Sequence, residues 1–325
     1  QVLHYIRKEL SYSMTKIKFH IPDFVRHMKL NLILADTLRL HPEYFYDGVT
    51  IGSVYGTFPT SMWNGGRLFC GTIDPRMIDY ILKQFNSRGI PCRYTFSNPY
   101  ITEDSQLKDE FCNHCLRVAH NGLNEAIVVT PQLEAYIRSH YPKYPLISST
   151  CKQIEDISAV VEELNKDYAY VVLDYNWNNH YQVLETLPHK EKCELLINAC
   201  CTPNCARRKD HYSTIGKQQI QLAQHFKYSP NQPITNFKDF TCPQMALEFY
   251  QTTKLSIHIK PEDIYNKYVP MGFVNFKIEG RQLSDVAVLE SYMYYMVKPE
   301  YRDEVRLHIL LLLYGQPGSG NGNTK

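Results

Sequence analysis

Short apolar segments followed by helix-like stretches recur along the chain, and this rhythm is the strongest restriction on its fold. Candidate strands lie at Val49–Val54, Ile90–Phe96, Ala126–Thr130, Leu146–Thr150, Tyr168–Asp174, Cys193–Ala199, Leu255–Lys260 and Phe273–Ile278, eight in all. Helix-like segments run between them, such as Asp74–Phe85, Pro131–Tyr141, Lys152–Asn165 and Asn179–Leu187. Thr130 before Pro131 is a hydroxyl N-cap followed by proline at the first helical position, where its missing N–H costs nothing. Strands alternating with helices pair in parallel, because a parallel neighbour needs a long crossover and the helix provides it. Eight such units over about 250 residues fit a closed (β/α)8 barrel of the TIM type. An open doubly wound sheet is the other arrangement, but no G-x-G-x-x-G sequence follows the first strand.

This reading divides the chain into an N-terminal extension over residues 1–47, a barrel over residues 48–314 and a flexible Gly-rich tail over residues 315–325. The extension carries a helix over Arg26–Leu40 that is expected to pack on the barrel's bottom. After the sixth expected strand, the interval from Cys200 to Lys254 is too long for one connection, and long insertions at a barrel's top tend to be functional. The run LHILLLLY at Leu307–Tyr314 is far short of the roughly 20 residues a bilayer requires and reads as the buried face of a last helix. No apolar signal run opens the sequence and no initiator Met stands first, so the chain reads as a cytoplasmic protein with a processed or fragmentary start. Ten cysteines are then expected to be reduced thiols, some of them metal ligands. Lys and Arg number 35 against 33 Asp and Glu, and a net charge of +2 does not indicate nucleic-acid binding.

A barrel of this type carries its chemistry at the carboxyl ends of its strands. Those ends are polar here: Asp174-Tyr175-Asn176, Asn198-Ala199-Cys200-Cys201, Lys260-Pro261-Glu262 and Lys277-Ile278-Glu279-Gly280-Arg281. Polar side chains crowded at one mouth are costly unless they bind something. Cys200, Cys201 and Cys205 open the long loop on a turn with Pro203 and Asn204, and Cys242 returns near its end. Thiolates so spaced can converge on one metal, either zinc or an iron–sulfur centre. The C-x3-C-x2-C spacing of radical enzymes is not met, because Arg208 stands at the third position. Cys151, at the end of the fourth expected strand, is a reserve ligand. Cys112 and Cys115, with His114 between them, read as core or surface residues, and Cys193 as a residue of the barrel's bottom. Arg208 is a candidate anion clamp, since a guanidinium binds carboxylate or phosphate in two-point fashion, and His211 a candidate acid–base. Asp174 and Glu279 are further catalytic candidates; Asn198, Lys260, Lys277 and Arg281 are candidates for substrate binding. Glu194 and Asn198 share one strand face, and Lys260 or Lys277 is the expected partner of a buried Glu194.

The stretch GFVNFKIEGRQLSDVAVLESYMYYMVKPEYR (Gly272–Arg302) resembles the end of the collagenase-like peptidase family, whose members carry a SLKIEGR segment before a helix with Tyr-Arg near its end. Lys277, Ile278, Glu279, Gly280 and Arg281 match that segment directly. ELLINACCTPNC resembles the family's strand-six segment FVHGALC…C, with Cys201 at the first cysteine and Cys205 at the second, more closely spaced than is usual there. Several members similar in fold bind a four-iron (4Fe-4S) cluster through four cysteines and support oxygen-independent hydroxylation of RNA bases or quinones. The resemblance therefore implies an iron–sulfur barrel, with Cys201, Cys205, Cys242 and Cys200 as ligands. The family's third and fourth cysteines have no clean counterparts in this chain. The expected function is an iron–sulfur enzyme that modifies a small or nucleotide-like substrate at the barrel mouth. The alternatives are a peptidase-type hydrolase and a zinc-binding, non-catalytic barrel that acts with a partner subunit of the same family.

Overall fold

Strict alternation of side chains fixes which face of each strand looks into the barrel. In a computed structural model, residues 15–234, 237, 240, 242 and 249–315 are described. Their strands are β1 Ile17–Pro22, β2 Val49–Gly56, β3 Cys92–Phe96, β4 Glu125–Val128, β5 Leu146–Ser148, β6 Tyr170–Val172, β7 Cys193–Leu196 and β8 Asn275–Lys277. All neighbouring pairs are parallel, and β1 closes onto β8 through Lys18↔Asn275 and His20↔Lys277. The chain is thus a (β/α)8 barrel.

The barrel's first strand and helix come from the stretch expected to be an extension. IKFHIP alternates because the residues between its apolar positions face the interior: Ile17, Phe19 and Ile21 join the outer core, while Lys18 and His20 contact residues across the barrel. Helix α1 (Met28–Leu40) follows, so the barrel begins at Ile17 rather than at residue 48. The expected strand Leu255–Lys260 is a series of turns instead. β7 pairs directly with β8, Glu194 opposite Asn275, and leaves no slot between them. The carbonyls of Ser256, Ile257 and His258 accept hydrogen bonds from the Asn178 and Asn179 side-chain amides in place of a strand's backbone donors, while the Ile259 N–H donates to the Ile197 carbonyl at 3.0 Å. The long insertion accordingly follows the seventh strand, not the sixth.

The further helices include α2 (Pro75–Asn86), α3 (Glu110–Val118), α4 (Pro131–His140), α5 (Ile157–Leu164), α6 (Arg208–Tyr228), α7 (Asp285–Met296) and α8 (Arg302–Tyr314). Thr130 caps α4 as its position predicts, accepting from the Leu133 N–H at 3.3 Å. On α8, Val305, Ile309 and Leu313 are buried beside α1 and α7, an i, i+4, i+8 stripe. Leu307, Leu311, Leu312 and Tyr314 lie outside that stripe and are exposed, so only part of LHILLLLY is buried. No helix among the described residues is long and apolar enough to cross a membrane. Residues 1–14, and all of the expected tail except Gly315, lie outside the described residues.

Candidate functional site

A cavity of about 460 Å³ opens at the carboxyl ends of the strands. Helix α6 covers it. This helix leaves β7 and crosses the mouth to dock on the loops after β2 and β3. Its buried Gln219 side chain satisfies four partners: Oε1 accepts from the Phe69 N–H (3.0 Å) and Asn64 Nδ2 (3.2 Å), and Nε2 donates to the carbonyls of Ser61 and Phe69 (both 3.0 Å). One turn earlier, Gly216 lets the helix touch the β3 loop. A Cβ there would stand 2.7 Å from Asn98 Oδ1, and the Gly216 carbonyl accepts from Asn98 Nδ2 at 3.0 Å. His211, Tyr212, Ile215 and Gln218 of α6 line the cavity from above.

Among the described residues, four cationic side chains, Arg67, Arg208, Lys277 and Arg281, line this space with one carboxylate, Glu279. Arg67 pairs with Glu279 Oε1, and Glu279 Oε2 accepts from the Cys200 N–H at 3.0 Å. Arg208 forks onto Asp174, with Nη1 to Oδ1 at 3.1 Å and Nη2 to Oδ2 at 2.5 Å, while its guanidinium lies 4.3 Å from the Tyr175 ring centre. Lys277 has Glu194 Oε1 at 3.5 Å. Arg281 differs. Its guanidinium donates to Asn64 Oδ1 and Thr95 Oγ1 (both 3.0 Å) and to the Gly65 carbonyl (2.8 Å), all neutral acceptors. Among the described residues it has no carboxylate partner. The acceptors fix its orientation without neutralising it, and burial pulls its pKa below the usual arginine value.

The expected site residues separate into three groups. His211, Glu279, Arg208, Lys277 and Arg281 meet at the cavity. The His211 ring stacks on Phe240 with centroids 4.5 Å apart, and burial, with Arg67 and Arg207, lowers its pKa, so a neutral imidazole faces the site. Asp174 and Asn198 are buried behind the wall. Asp174 is the counter-ion of Arg208 rather than a catalytic group. Asn198 ties the strand ends together, accepting from the Glu279 N–H at 2.7 Å and donating to the Glu279 carbonyl at 3.0 Å. Lys260 is exposed on the turn that replaces the expected strand and does not line the cavity.

The cysteines are also divided. Cys200, Cys201, Cys242 and Cys151 line the cavity, whereas Cys205 does not. Among the described residues, no three Cys, His, Asp or Glu side chains are placed to hold one metal ion. Burial pushes the Cys200 and Cys201 thiols up. The four expected thiols therefore do not converge on one point in this arrangement: Cys205 lies off the cavity that Cys200, Cys201 and Cys242 line.

Below the cavity, the barrel interior holds a charged layer that includes two residues absent from the sequence-based site, His20 and Arg93. Arg93 Nε donates to Glu125 Oε2 at 2.6 Å, and Arg93 Nη1 donates to Glu194 Oε2. His20 Nδ1 meets Ser53 Oγ at 2.8 Å, and its Nε2 lies 3.5 Å from Glu194 Oε2. A one-residue bulge at Gly52 makes room, since a Cβ there would stand 2.7 Å from His20 Cε1. Burial and Arg93 push His20 down to about 3. Burial presses Glu194 upward, but Arg93, His20 and Lys277 reverse this and hold it at about 2. Ser53, His20 and Glu194 have the makings of a hydrolytic triad, yet all three are fully buried and none lines the cavity. A ring of apolar and aromatic residues, Tyr55, Ile127, Ile147 and Val172, forms a separate cluster within the barrel.

Arg67 and Tyr212 are among the mouth residues that sequence reasoning missed. Arg67 follows Asn64-Gly65-Gly66 in the loop after β2, and a glycine pair is a signal that marks such a loop.

No protein-family model matches the chain, and no curated protein matches it. A solved structure described as that of a U32 peptidase is similar over 84% of this chain and 96% of its own, with 9% identity and a TM-score of 0.48. The barrel is established by its strand pairing and not by this likeness.

Proposed function

We propose that this chain is an enzyme acting on a small substrate that carries a carboxylate or phosphate group, bound in the covered mouth of the barrel. The observation that carries this reading is Arg281: an oriented guanidinium in a cavity wall, among other cations, hydrogen-bonded to neutral oxygens, with the Asp23 carboxylate acting on it only at a distance and no direct ion-pair partner among the described residues. A buried charge of this kind is costly until an anion joins it. Arg67 and Arg208 add positive potential from two other sides, each already held by its own carboxylate. The cavity volume lies within the range of small-molecule sites, which is compatible with a nucleotide-like ligand as well as a smaller acid. His211 and Glu279 line the same space and are the groups placed to carry protons.

Calorimetric titration with succinate and with adenosine monophosphate tests this reading. At least one should bind the wild-type chain, and Arg281→Gln should weaken it by about 10- to 100-fold, the value of one charge-assisted hydrogen-bonding partner. Equal affinity in wild type and Arg281→Gln would sink the proposal.

A further inference from the structure

We propose that Lys277 is an imine-forming amine, and that the substrate of the covered mouth is an oxyanion-bearing aldehyde or ketone, such as a 2-oxo acid, whose carbonyl carbon the ε-amine attacks. The inference rests on the anion site proposed above and narrows its substrate class.

Lys277 is the only lysine among the described residues that line the cavity, and it is held unlike the arginines around it. Each arginine is fixed by hydrogen bonds to named oxygens. Lys277 Nζ makes no hydrogen bond among the described residues. Its nearest carboxylate oxygen, Glu194 Oε1, is 3.5 Å away, and the Tyr55 ring centre lies 4.4 Å from it. Its side chain keeps 11% of its surface exposed, so the amine sits in the floor with its path to the cavity open. A clamp for an anion would be immobilised, as Arg281 is. An amine held by a long ion pair and an aromatic face, with no hydrogen bond among the described residues, at the bottom of a cationic pocket is placed to act as a nucleophile.

The surroundings ease loss of a proton from the Lys277 ammonium. Burial lowers the Lys277 pKa, and the like charges of Arg93 on β3 and Arg281 beyond β8 lower it further, against the opposing pull of Glu194 on β7 and Cys151 beyond β5. Desolvation beside other cations is a general way of making a lysine nucleophilic near neutral pH. An acid bound on Arg281 would lie in the same cavity as Nζ, and this proximity replaces a bimolecular encounter.

The step balances with no outside reactant. The Lys277 ammonium first passes one proton to a cavity base, the free amine adds its lone pair to the carbonyl carbon, the carbon–oxygen π bond breaks, and the oxygen takes up a proton to give a carbinolamine. That hydroxyl then leaves as water while the nitrogen lone pair forms the iminium double bond. Of the three protons on the starting ammonium, two depart on the water and one stays on nitrogen. His211 and Glu279 are the cavity groups available to relay them.

Borohydride trapping tests the inference. Wild-type protein is incubated with pyruvate or 2-oxoglutarate, reduced, digested and mapped by mass spectrometry, with Lys277→Arg in parallel and acetone as the neutral carbonyl. The expected result is a reduced adduct on Lys277, at least about tenfold above that on exposed lysines such as Lys260, reflecting a larger free-amine fraction. The adduct should be suppressed by excess succinate and weak with acetone. Mapping on the wild-type chain needs no variant to fold, and Lys277→Arg keeps a positive charge beside Glu194. Label confined to surface lysines, or unchanged in Lys277→Arg, would overturn the inference. No adduct on Lys277 while succinate binds in an Arg281-dependent way would also overturn it and leave the anion site standing. Absence of both would remove the two together.

Discussion

Replacing Arg93 by methionine should be one of the most damaging single changes available in this barrel. Arg93 is fully buried and bridges Glu125 and Glu194, with Nε 2.6 Å from Glu125 Oε2. Methionine fills much of the same volume but leaves two interior carboxylates facing each other. Breaking a buried pair from one side costs about 3–5 kcal/mol, because the remaining charge has lost its water and its partner. Glu194 retains Lys277 at 3.5 Å and His20 at 3.5 Å, so most of the loss falls on Glu125, whose pKa burial already raises. Urea unfolding followed by far-ultraviolet circular dichroism gives the number directly. With a slope of about 3 kcal/mol per molar, the midpoint at pH 7 should drop by about 1–1.7 M. The pH dependence supplies a sign. In the wild type, Glu194 titrates at about 2, below its ordinary 4.5, so its stabilisation is present above pH 4.5 and is lost as pH falls toward 2. In Arg93→Met both carboxylates bind protons more readily, so the gap between variant and wild type should narrow as pH is lowered from 7 to 4.5. Adding Glu125→Gln to the variant should recover part of the loss. A drop below about 1 kcal/mol, typical of a surface pair, or a gap that does not change with pH, would refute the picture of a sealed ionic layer.

Gly216→Val should lift α6 from the β3 loop, since Asn98 Oδ1 occupies the space of its Cβ; about 1–3 kcal/mol of strain is expected, read as faster amide hydrogen exchange across α6 and weaker succinate binding. His20 is neutral in the folded chain down to about 3 but takes a proton at about 6.5 when unfolded, so stability should be full above pH 6.5 and fall between 6.5 and 3; His20→Gln should flatten that part of a pH–stability curve. Lys260→Ala should leave anion affinity unchanged within error, because Lys260 is exposed and lies outside the cavity.

The alternation of strand and helix was legible because seven of the eight expected strands overlap real ones, each bounded by turn residues or by a helix cap such as Thr130. The eighth failed for a physical reason. A parallel barrel strand is expected to be apolar on both faces, but β1 places Lys18 and His20 toward a charged interior and reads as IKFHIP. LSIHIK has the same alternation in a segment whose carbonyls are claimed by Asn178 and Asn179, and residue pattern alone does not separate the two. At the site, KIEGR was readable because its Lys277, Glu279 and Arg281 sit at one strand end with period two, which sends all three to the same mouth. Arg67 and the covering role of α6 were not, since both depend on which distant loops meet: Gln219 reaches Ser61 and Phe69 across about half the chain. The cysteine spacing suggested convergence, yet Cys200 and Cys201 line the cavity while Cys205 turns away from it. Proximity in sequence placed the thiols in one loop without aiming them at one point.

The most direct test of the anion site is a crystal structure of the chain soaked with succinate or a phosphate monoester at a concentration that saturates the calorimetric signal. The account predicts density for the ligand inside the mouth, with an oxyanion oxygen about 3 Å from an Arg281 guanidinium nitrogen, beneath α6. A ligand bound elsewhere on the chain, or a mouth holding only ordered water at saturation, would contradict it.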